Sequence, residues 1–210
     1  MTQQKARTRT KYHVGNLAPQ LLAAAREMLE EVGPFKLSLR AVSERVGVSS
    51  AAAYHHYANR IELISHLAAQ GFRELGYALQ TNDASLADPS EKLRQASLTY
   101  FTFARTNPAL YQLMFGPEFS NADLIPELQI ARDESFGELR KIIGAILHAA
   151  PDTPEVRRAA LAGWSYTHGL ASLVIHGVLN FPDETSTERY VDVTLKGFED
   201  LFKTHFQNVK

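Results

Sequence analysis

Apolar residues recur along most of this chain at the three- and four-residue spacing of an amphipathic helix. No stretch sustains the alternation of β-branched and polar residues that is typical of a strand. The first clear helix is expected from about Asn16 to Val32, where Leu, Ala, Met and Val side chains share one face and Gly33-Pro34 ends the pattern. The pattern therefore predicts an all-α protein.

Two short helices are predicted next, joined by a tight turn. Ser38 is placed to cap a helix over Leu39–Val46, and Gly47 supplies the left-handed residue that ends it. Ser49 then caps a third helix that we expect to reach about Tyr57. Such a pair forms a helix-turn-helix, which reads DNA by placing its second helix in the major groove. The alternative, an accidental helical hairpin within a bundle, would not require both capping serines and the glycine turn.

The rest of the chain is also predicted to be helical, with a polar, turn-rich stretch from Thr81 to Pro89 as the best candidate for a flexible connection. The expected helices cover approximately residues 59–79, 90–107, 108–114, 126–149, 154–178 and 186–206. We divide the chain into an N-terminal three-helix helix-turn-helix domain, residues 1–60, and a C-terminal helical ligand-binding and dimerisation bundle, residues 61–210.

The distribution of charge separates these two parts. The whole chain has a formal charge of −1, but residues 1–60 hold nine Lys and Arg side chains against four Glu, whereas the remainder holds 13 basic and 19 acidic residues. This asymmetry is typical of a basic DNA-binding module on an acidic body. We expect residues 1–12 to be a basic arm, which is either a solvated tail or a DNA contact through Lys5, Arg7, Arg9 and Lys11.

Composition excludes several classes of chemistry. The chain has no cysteine, so it has no disulfide, no cysteine-ligated zinc site and no thiol nucleophile. It begins without an apolar signal segment, and no uncharged apolar run approaches the roughly 18 residues that a membrane span needs. We therefore expect a cytoplasmic protein without a membrane partner. No metal or other cofactor is predicted, since the adjacent His55 and His56 would point about 100° apart on a helix.

The outward face of the third predicted helix supplies the candidate DNA-reading residues. On a helical wheel, Ala53 and Tyr57 face the preceding helices. The side chains on the outward face and its flanks are Ala51, Ala52, Tyr54, His55 and His56. Small residues let a helix enter the groove deeply, where alanine methyls can contact thymine and His55 can hydrogen-bond a base or a phosphate. Ser49 and Ser50 add hydroxyl and N–H groups that suit a phosphate.

The segments LSLRAVSERVGVS at 37–49 and YHHYANR at 54–60 resemble the DNA-binding domain of the TetR family, over about the first 65 residues. The resemblance implies that the third helix lies in the major groove, that Tyr54 and Arg60 hold phosphates, and that Arg40 lies near the DNA. Ser43 departs from the family pattern, which commonly has alanine there. The DNA-binding residues predicted in all are Lys36, Ser38, Arg40, Ser49, Ser50, Ala51, Ala52, Tyr54, His55, His56 and Arg60.

Two later segments, YFTFARTNPALYQLMF at 100–115 and WSYTHGLASL at 164–173, resemble one subgroup of TetR-family ligand-binding domains. That subgroup is marked by a Trp, a His-Gly pair and an Asn-Pro-Xaa-Leu-Tyr segment. The resemblance implies a helical pocket and a dimer formed by the last two long helices. The expected pocket residues are Tyr100, Phe103, Tyr111, Met114, Phe115, Trp164 and His168. The simpler interpretation is that the aromatic residues are core and that His168 is a buried histidine bonded to a carbonyl.

The dimer prediction also rests on the apolar residues of the last two long helices, which exceed what one monomer core needs. These include Leu161, Leu170, Val174, Val191, Leu195 and Phe198. A dimer suits DNA recognition, because one short recognition helix reads only a few base pairs and two half-sites provide the usual specificity.

The sequence thus predicts a sequence-specific, homodimeric DNA-binding transcription regulator. We expect a repressor that a small apolar or aromatic effector releases from double-stranded operator DNA. One alternative is an enzyme that uses His168 and a nearby carboxylate as a base, although the sequence has no identifiable nucleophile, metal set or phosphate loop. Another is a DNA-bound organiser or activator whose C-terminal body binds a protein, which a cavity too small for a ligand would favour.

Overall fold

The computed structural model describes residues 17–83, 88–120, 124–180 and 185–206, and the regular structure within these ranges is entirely helical. The helices are α1 (Leu17–Val32), α2 (Leu39–Val46), α3 (Ser50–Tyr54), α4 (Arg60–Asp83), α5 (Pro89–Thr106), α6 (Pro108–Met114), α7 (Pro126–Leu147), α8 (Pro154–Ile175) and α9 (Thr187–Phe206). Short 3₁₀ turns cover Pro34–Lys36 and Pro117–Phe119. The all-α prediction is confirmed, and no helix in the described ranges is long and apolar enough to cross a bilayer.

The caps of the helix-turn-helix form as the sequence predicts. Ser38 Oγ accepts a hydrogen bond from the Ala41 N–H at 3.1 Å, and Ser49 Oγ accepts one from the Ala52 N–H at 3.2 Å. Gly47 ends α2 with φ 81° and ψ 28°, a left-handed conformation that costs glycine little. These bonds satisfy backbone groups that a helix end leaves open, and they fix where α3 starts.

Three predicted helix ends are wrong, one of them that of α8, which ends at Ile175 and not near Val178. Helix α3 ends at Tyr54 rather than near Tyr57, because the chain tightens into a turn in which His56 N–H bonds to the carbonyl of Ala53. Helix α4 continues through Thr81 to Asp83, into the stretch that we expected to be a flexible connection. There the Thr81 hydroxyl donates to the Tyr77 carbonyl at 3.0 Å, so this polar residue bonds to the helix itself. Residues 84–87 lie outside the described ranges, as does the arm at 1–12.

Helix α4 carries the core that unites the two parts of the chain. Leu63 and Leu67 of α4 are fully buried in the same apolar cluster as Leu21 of α1 and Leu110 of α6. Further along α4, Gly76 permits close packing on α7, because a methyl group there would lie 3.3 Å from Cα of Ser135. The predicted boundary at residue 60 therefore falls at the first residue of a helix that both parts share.

A polar contact also joins α1 to the C-terminal helices. The Arg26 guanidinium donates to Oδ1 of Asn107 at 2.7 Å, and Nδ2 of Asn107 donates to the Phe103 carbonyl at 3.1 Å. Asn107 stands directly before α6, in the Asn-Pro segment singled out in the sequence. This side chain therefore fixes α6 against α1.

Candidate DNA-binding and effector sites

Helix α3 and the turn that follows it, residues 50–57, present one side to solvent and the other to the core. Ala53 and Tyr57 are 0% and 5% exposed, whereas Tyr54 is 53% exposed. Ala51, His55 and His56 are also exposed, and Ala52 is partly so. The predicted orientation of the helix is confirmed. Tyr57 helps to fix this orientation, because its hydroxyl donates a hydrogen bond to the Ala18 carbonyl of α1 at 3.0 Å.

The unusual Ser43 lies at the contact between α2 and α3. Its side chain is fully buried, its hydroxyl donates to the Arg40 carbonyl at 2.7 Å, and its oxygen lies 3.3 Å from Oγ of Ser50. A hydroxyl therefore fits where the family commonly has a methyl group, because it has hydrogen-bond partners in place. Ser43 helps to hold the recognition helix and does not face outward.

The predicted phosphate-binding cations differ in their placement. Lys36 and Arg40 are exposed, and Arg40 forms a surface ion pair with Glu44 at 3.1 Å. Arg60 instead turns toward the protein: its Nε donates to the Leu37 carbonyl at 2.8 Å and its Nη2 to the Pro34 carbonyl at 2.6 Å. Its guanidinium thus holds the loop that leads into α2. A phosphate contact by Arg60, implied by the family resemblance, stays a prediction.

The C-terminal helices and α4 line a partly open, mostly apolar cavity of about 520 Å³. Four predicted pocket residues line it, namely Tyr100, Met114, Phe115 and Trp164. The other residues of its wall are Phe72, Leu75, Leu79, Gly116, Phe119, Ser120, Gln129, Arg132, Asp133, Ser135, Phe136 and Leu139. Sequence reasoning missed the contributions of α4 and α7, whose apolar positions look like ordinary helix core. The volume lies within the range of about 300–1,000 Å³ that small-molecule sites occupy.

A second cavity, of about 280 Å³, lies between the C-terminal helices and the 3₁₀ turn that precedes α2. Tyr111 and His168 line this cavity and not the larger one, whereas Phe115 lines both. On the other side it is bounded by Pro34 and Phe35. The predicted pocket residues are thus divided between two cavities. Phe103 lines neither of the two, because its side chain is packed in the core.

His168 lies at the centre of an aromatic and hydroxyl cluster. Its Nδ1 is 2.6 Å from the Tyr111 hydroxyl and 2.9 Å from the Tyr100 hydroxyl, and its Nε2 is 3.4 Å from Oγ of Ser172. The Trp164 indole N–H donates to the Tyr100 hydroxyl at 3.2 Å. A neutral imidazole satisfies this arrangement, with Nδ1 accepting from a phenol and Nε2–H donating to the serine. The side-chain partners of His168 are therefore hydroxyl groups and not the carbonyl that we expected.

Burial keeps these groups neutral. It lowers the pKa of His168, raises the pKa of Tyr111 to about 12, and raises that of Tyr100 still further. Among the described residues no carboxylate hydrogen-bonds to His168, so the catalytic base considered above has no acidic partner there. Nor do the described residues contain a group of three or more His, Asp or Glu side chains that could hold a metal.

Comparison with known proteins identifies the family. The model for bacterial regulatory proteins of the tetR family matches residues 21–67, and the model for the tetracyclin repressor-like C-terminal domain matches residues 93–198, about half of the chain. This chain belongs to the TetR family. The family consists of transcriptional regulators and not of enzymes.

Individual TetR-family relatives are distant. The HTH-type transcriptional regulator Rv1816 of Mycobacterium tuberculosis is 26% identical over 132 residues, 62% of this chain, and the chain spans about half (54%) of that relative's length. A protein of unknown function from Rhodococcus sp. RHA1 has a solved structure with a TM-score of 0.73 and 28% identity, over 90% of this chain and 98% of that one.

Two further solved structures support the fold alone. The TetR family regulator PfmR of Thermus thermophilus has a TM-score of 0.57 and 24% identity, over 84% of this chain and 97% of its own. The fatty acid degradation regulator FadR of Bacillus halodurans has a TM-score of 0.64 and 14% identity, over 88% and 94%.

One buried carboxylate in this TetR-family chain had no signal in the sequence. The Glu118 side chain is only 9% exposed, and neither of its oxygens accepts a hydrogen bond. Its ion-pair partner is Arg60, whose Nη2 lies 3.9 Å from Oε1. Glu118 stands in a 3₁₀ turn between Pro117, which lines the smaller cavity, and Phe119, which lines the larger one. The Glu118–Arg60 ion pair therefore links the turn that borders both cavities to the first residue of α4.

We expect the free energy of unfolding to decrease as the pH falls below about 6.5, the ordinary pKa of histidine, and to continue decreasing down to the lowered pKa of His168. In this window the unfolded chain binds a proton that folded His168 does not, so acid favours unfolding. Urea unfolding between pH 5 and 8 measures the effect. His168→Gln should make the free energy of unfolding depend less on pH in this window. The control variant His56→Gln, at an exposed position, should keep the pH dependence of the wild type. Equal slopes in all three proteins would contradict the assignment.

Proposed function

We propose that this TetR-family chain is a cytoplasmic repressor that binds double-stranded operator DNA as a homodimer and is released by a small apolar or aromatic effector. The observation that carries the proposal is the outward face of α3, where small and hydrogen-bonding side chains are exposed on a rigidly capped helix. Such a surface fits the major groove and has no other partner in the described structure.

The proposed DNA contacts are of two kinds, phosphate contacts that position the protein and base contacts that recognise the sequence. Lys36 and Arg40 supply exposed positive charge, and the hydroxyls of Ser38, Ser49 and Ser50 lie at the starts of α2 and α3, where phosphates bind. We assign phosphate contacts to Tyr54 and base contacts to the others on the exposed face. The reading residues are Ala51, Ala52, His55 and His56.

Helices α8 and α9 are the proposed dimer interface. Leu161 and Leu173 of α8 are 53% and 41% exposed, and Val193 of α9 is 63% exposed. Of the residues named from sequence, Leu161 belongs to this exposed set, whereas Leu170, Val174 and Leu195 are partly buried against the monomer core. Val191 is wrong for this role, because it is 2% exposed and packed in that core. The Phe198 side chain lies outside the described ones. We propose that a second copy covers this apolar surface and that the two α3 helices of the dimer read successive turns of DNA.

Effector control requires a physical link between the cavity and α3. Phe115, Gly116 and Phe119 line the larger cavity, and the adjacent Glu118 pairs with Arg60. Arg60 in turn bonds the carbonyls of Pro34 and Leu37, just before α2. A ligand that displaces the turn around Glu118 would therefore alter the restraint on the helix-turn-helix. Such a ligand would shift the protein from a DNA-binding state to a released state, which is the change that allosteric release requires.

We also assign the C-terminal domain to the subgroup with the Trp, His-Gly and Asn-Pro-Xaa-Leu-Tyr markers. Tyr111, Trp164 and His168 belong to one hydrogen-bonded cluster with Tyr100. Asn107, from the same segment as Tyr111, binds Arg26 of α1. The markers thus occupy positions that connect the ligand-binding helices to each other and to the DNA-binding part.

The first test is selection of a binding site from random DNA and from the DNA beside the chain's own gene. With that site, Tyr54→Phe should weaken all single-base operator variants about equally, because it removes one phosphate contact. His55→Ala should change the preferred base at one position of each half-site, by about 1–3 kcal/mol. Fluorescence anisotropy across the variants measures both. A uniform loss for His55→Ala with altered preference for Tyr54→Phe would reverse these roles. Failure to select any sequence would contradict the proposed function.

A further inference from the structure

One cation lies in the wall of the larger cavity among aromatic rings. The Arg132 guanidinium carbon is 5.5 Å from the centre of the Phe72 ring and 5.6 Å from that of the Phe119 ring. Both distances lie within the range of about 6 Å over which a cation interacts with an aromatic face. The side chain is partly buried, and it projects from α7 into a cavity that is otherwise mostly apolar.

Arg132 differs from most arginines of the described ranges in having no anionic partner. Arg26, Arg40, Arg60 and Arg94 each form an ion pair with a carboxylate. Among the described residues no carboxylate forms an ion pair with Arg132, and its guanidinium lies against the two rings. The neighbouring Asp133 also borders the cavity, but it is exposed and accepts a hydrogen bond from Gln129 at 3.1 Å.

Removing a charge from water without a counter-charge is unfavourable, and here burial lowers the pKa of Arg132. The aromatic faces compensate only in part, since they supply no hydrogen-bond acceptor. A guanidinium has five N–H donors in a planar fork that matches a carboxylate, so a ligand carboxylate would satisfy both the charge and the donors.

The other residues of the cavity wall favour a ligand with an apolar chain or ring. Leu75, Leu79, Phe136, Leu139 and Trp164 surround the space with aliphatic and aromatic carbon. The Tyr100 hydroxyl is already bonded within the His168 cluster, so it offers little to a second polar group. A ligand here gains by burying an apolar chain or ring along this surface.

We propose that the effector is an amphiphilic carboxylate, with its carboxylate on Arg132 and its apolar body against the leucine and aromatic wall. This inference rests on the proposed function, since it names the chemical class of that effector. A cationic amphiphile would meet the positive Arg132 and find the faces of Phe72 and Phe119 already occupied. A neutral apolar molecule would leave the guanidinium unpaired.

The test is isothermal titration of the full chain with straight-chain carboxylates from hexanoate to hexadecanoate and with 4-phenylbutyrate. Decyltrimethylammonium and 1-decanol serve as the cationic and neutral counterparts. We expect at least one carboxylate to bind more tightly than either counterpart. Arg132→Gln should weaken that binding by about 10- to 100-fold, because it removes a charged hydrogen-bonding pair. Arg132→Lys should lose less carboxylate affinity, since it keeps the positive charge but not the planar, forked set of N–H donors.

Lys141→Gln is the matched control, because it removes one positive charge from the exposed surface of the same helix. Its carboxylate affinity should equal that of the wild type. The proposal is overturned if no carboxylate binds, if decyltrimethylammonium or 1-decanol binds more tightly, or if Arg132→Gln and Arg132→Lys both bind as the wild type does. Thermal unfolding of the free variants checks folding, and Arg132→Gln is expected to be at least as stable as the wild type.

Adding the bound carboxylate to the protein–DNA complex separates this inference from the proposed function. Release of DNA by wild type and Lys141→Gln, at concentrations where Arg132→Gln stays bound, supports both. Arg132-dependent binding without any release of DNA supports the ligand class and contradicts the effector response. Release by the neutral or cationic counterpart alone supports the effector response and overturns the ligand class.

Discussion

Replacing Ala51 with glutamate is expected to weaken operator binding by about 100-fold or more. Ala51 is the second residue of α3 and is exposed, so the new carboxylate would enter the groove among phosphates and base acceptors. Placing like charges together at an interface costs several kcal/mol, and each factor of ten in affinity corresponds to about 1.4 kcal/mol. Anisotropy titration with the selected operator at fixed salt measures the loss.

The variant should remain folded, which makes the result interpretable. An acidic side chain in the first turn of a helix interacts favourably with the helix dipole, and α3 has none there now. Ala145→Glu is the control, because Ala145 is exposed on α7, in the C-terminal part of the chain. It adds the same charge and should leave DNA affinity nearly unchanged. Comparable losses in both variants would show only an effect of net charge, and α3 would then not be the reading helix.

Replacing Arg60 with alanine is expected to lower the free energy of unfolding by about 3 kcal/mol. The variant loses two charged hydrogen bonds, to the carbonyls of Leu37 and Pro34, and leaves buried Glu118 without its counter-charge. Hydrogen bonds to charged groups contribute about 1.5–3 kcal/mol, and an unpaired buried charge adds to the cost. Urea unfolding monitored by circular dichroism measures the change.

The same variant distinguishes the two roles of Arg60. If Arg60 served only as a phosphate contact, the free energy of unfolding would stay constant and only the salt dependence of DNA binding would fall, by about 0.9 in the log–log slope. Arg40→Ala is the control, since the 79% exposed Arg40 side chain should change stability by no more than about 0.5 kcal/mol. Adding Glu118→Gln to Arg60→Ala should recover part of the lost stability, because it removes the unpaired charge.

The helix-turn-helix could be predicted closely because local chemistry determines it. Ser38, Gly47 and Ser49 cap or end helices through groups within four residues of themselves, and the apolar spacing then fixes which face of α3 is buried. Such signals do not depend on distant parts of the chain. The same locality explains why Thr81 misled the prediction, since its hydroxyl can bond either in a turn or to its own helix.

The cavities could not be predicted to the same degree, because they depend on which helices meet. Nothing in the spacing of α7 distinguishes Arg132 from an ordinary solvated arginine, because the rings of Phe72 and Phe119 reach its guanidinium only in the folded chain. Likewise, Tyr111 and Phe115 are four residues apart, yet only Phe115 reaches the larger cavity. Helical periodicity predicts that a residue is buried and leaves open which space it borders.

The position of Phe115 between the two cavities has a consequence for the range of compounds that the protein can accommodate. Phe115 and Gly116 border both the cavity beside Trp164 and the one beside Phe35, and the Phe115 ring is in edge contact with the rings of Phe72 and His168. We expect truncation of that ring to remove part of the wall that the two cavities share and to open space toward the loop before α2. Longer molecules would then fit, and their far ends would touch the DNA-binding part directly. Evolution could therefore broaden the set of recognised compounds, and shorten the route by which they act, through one substitution at this position.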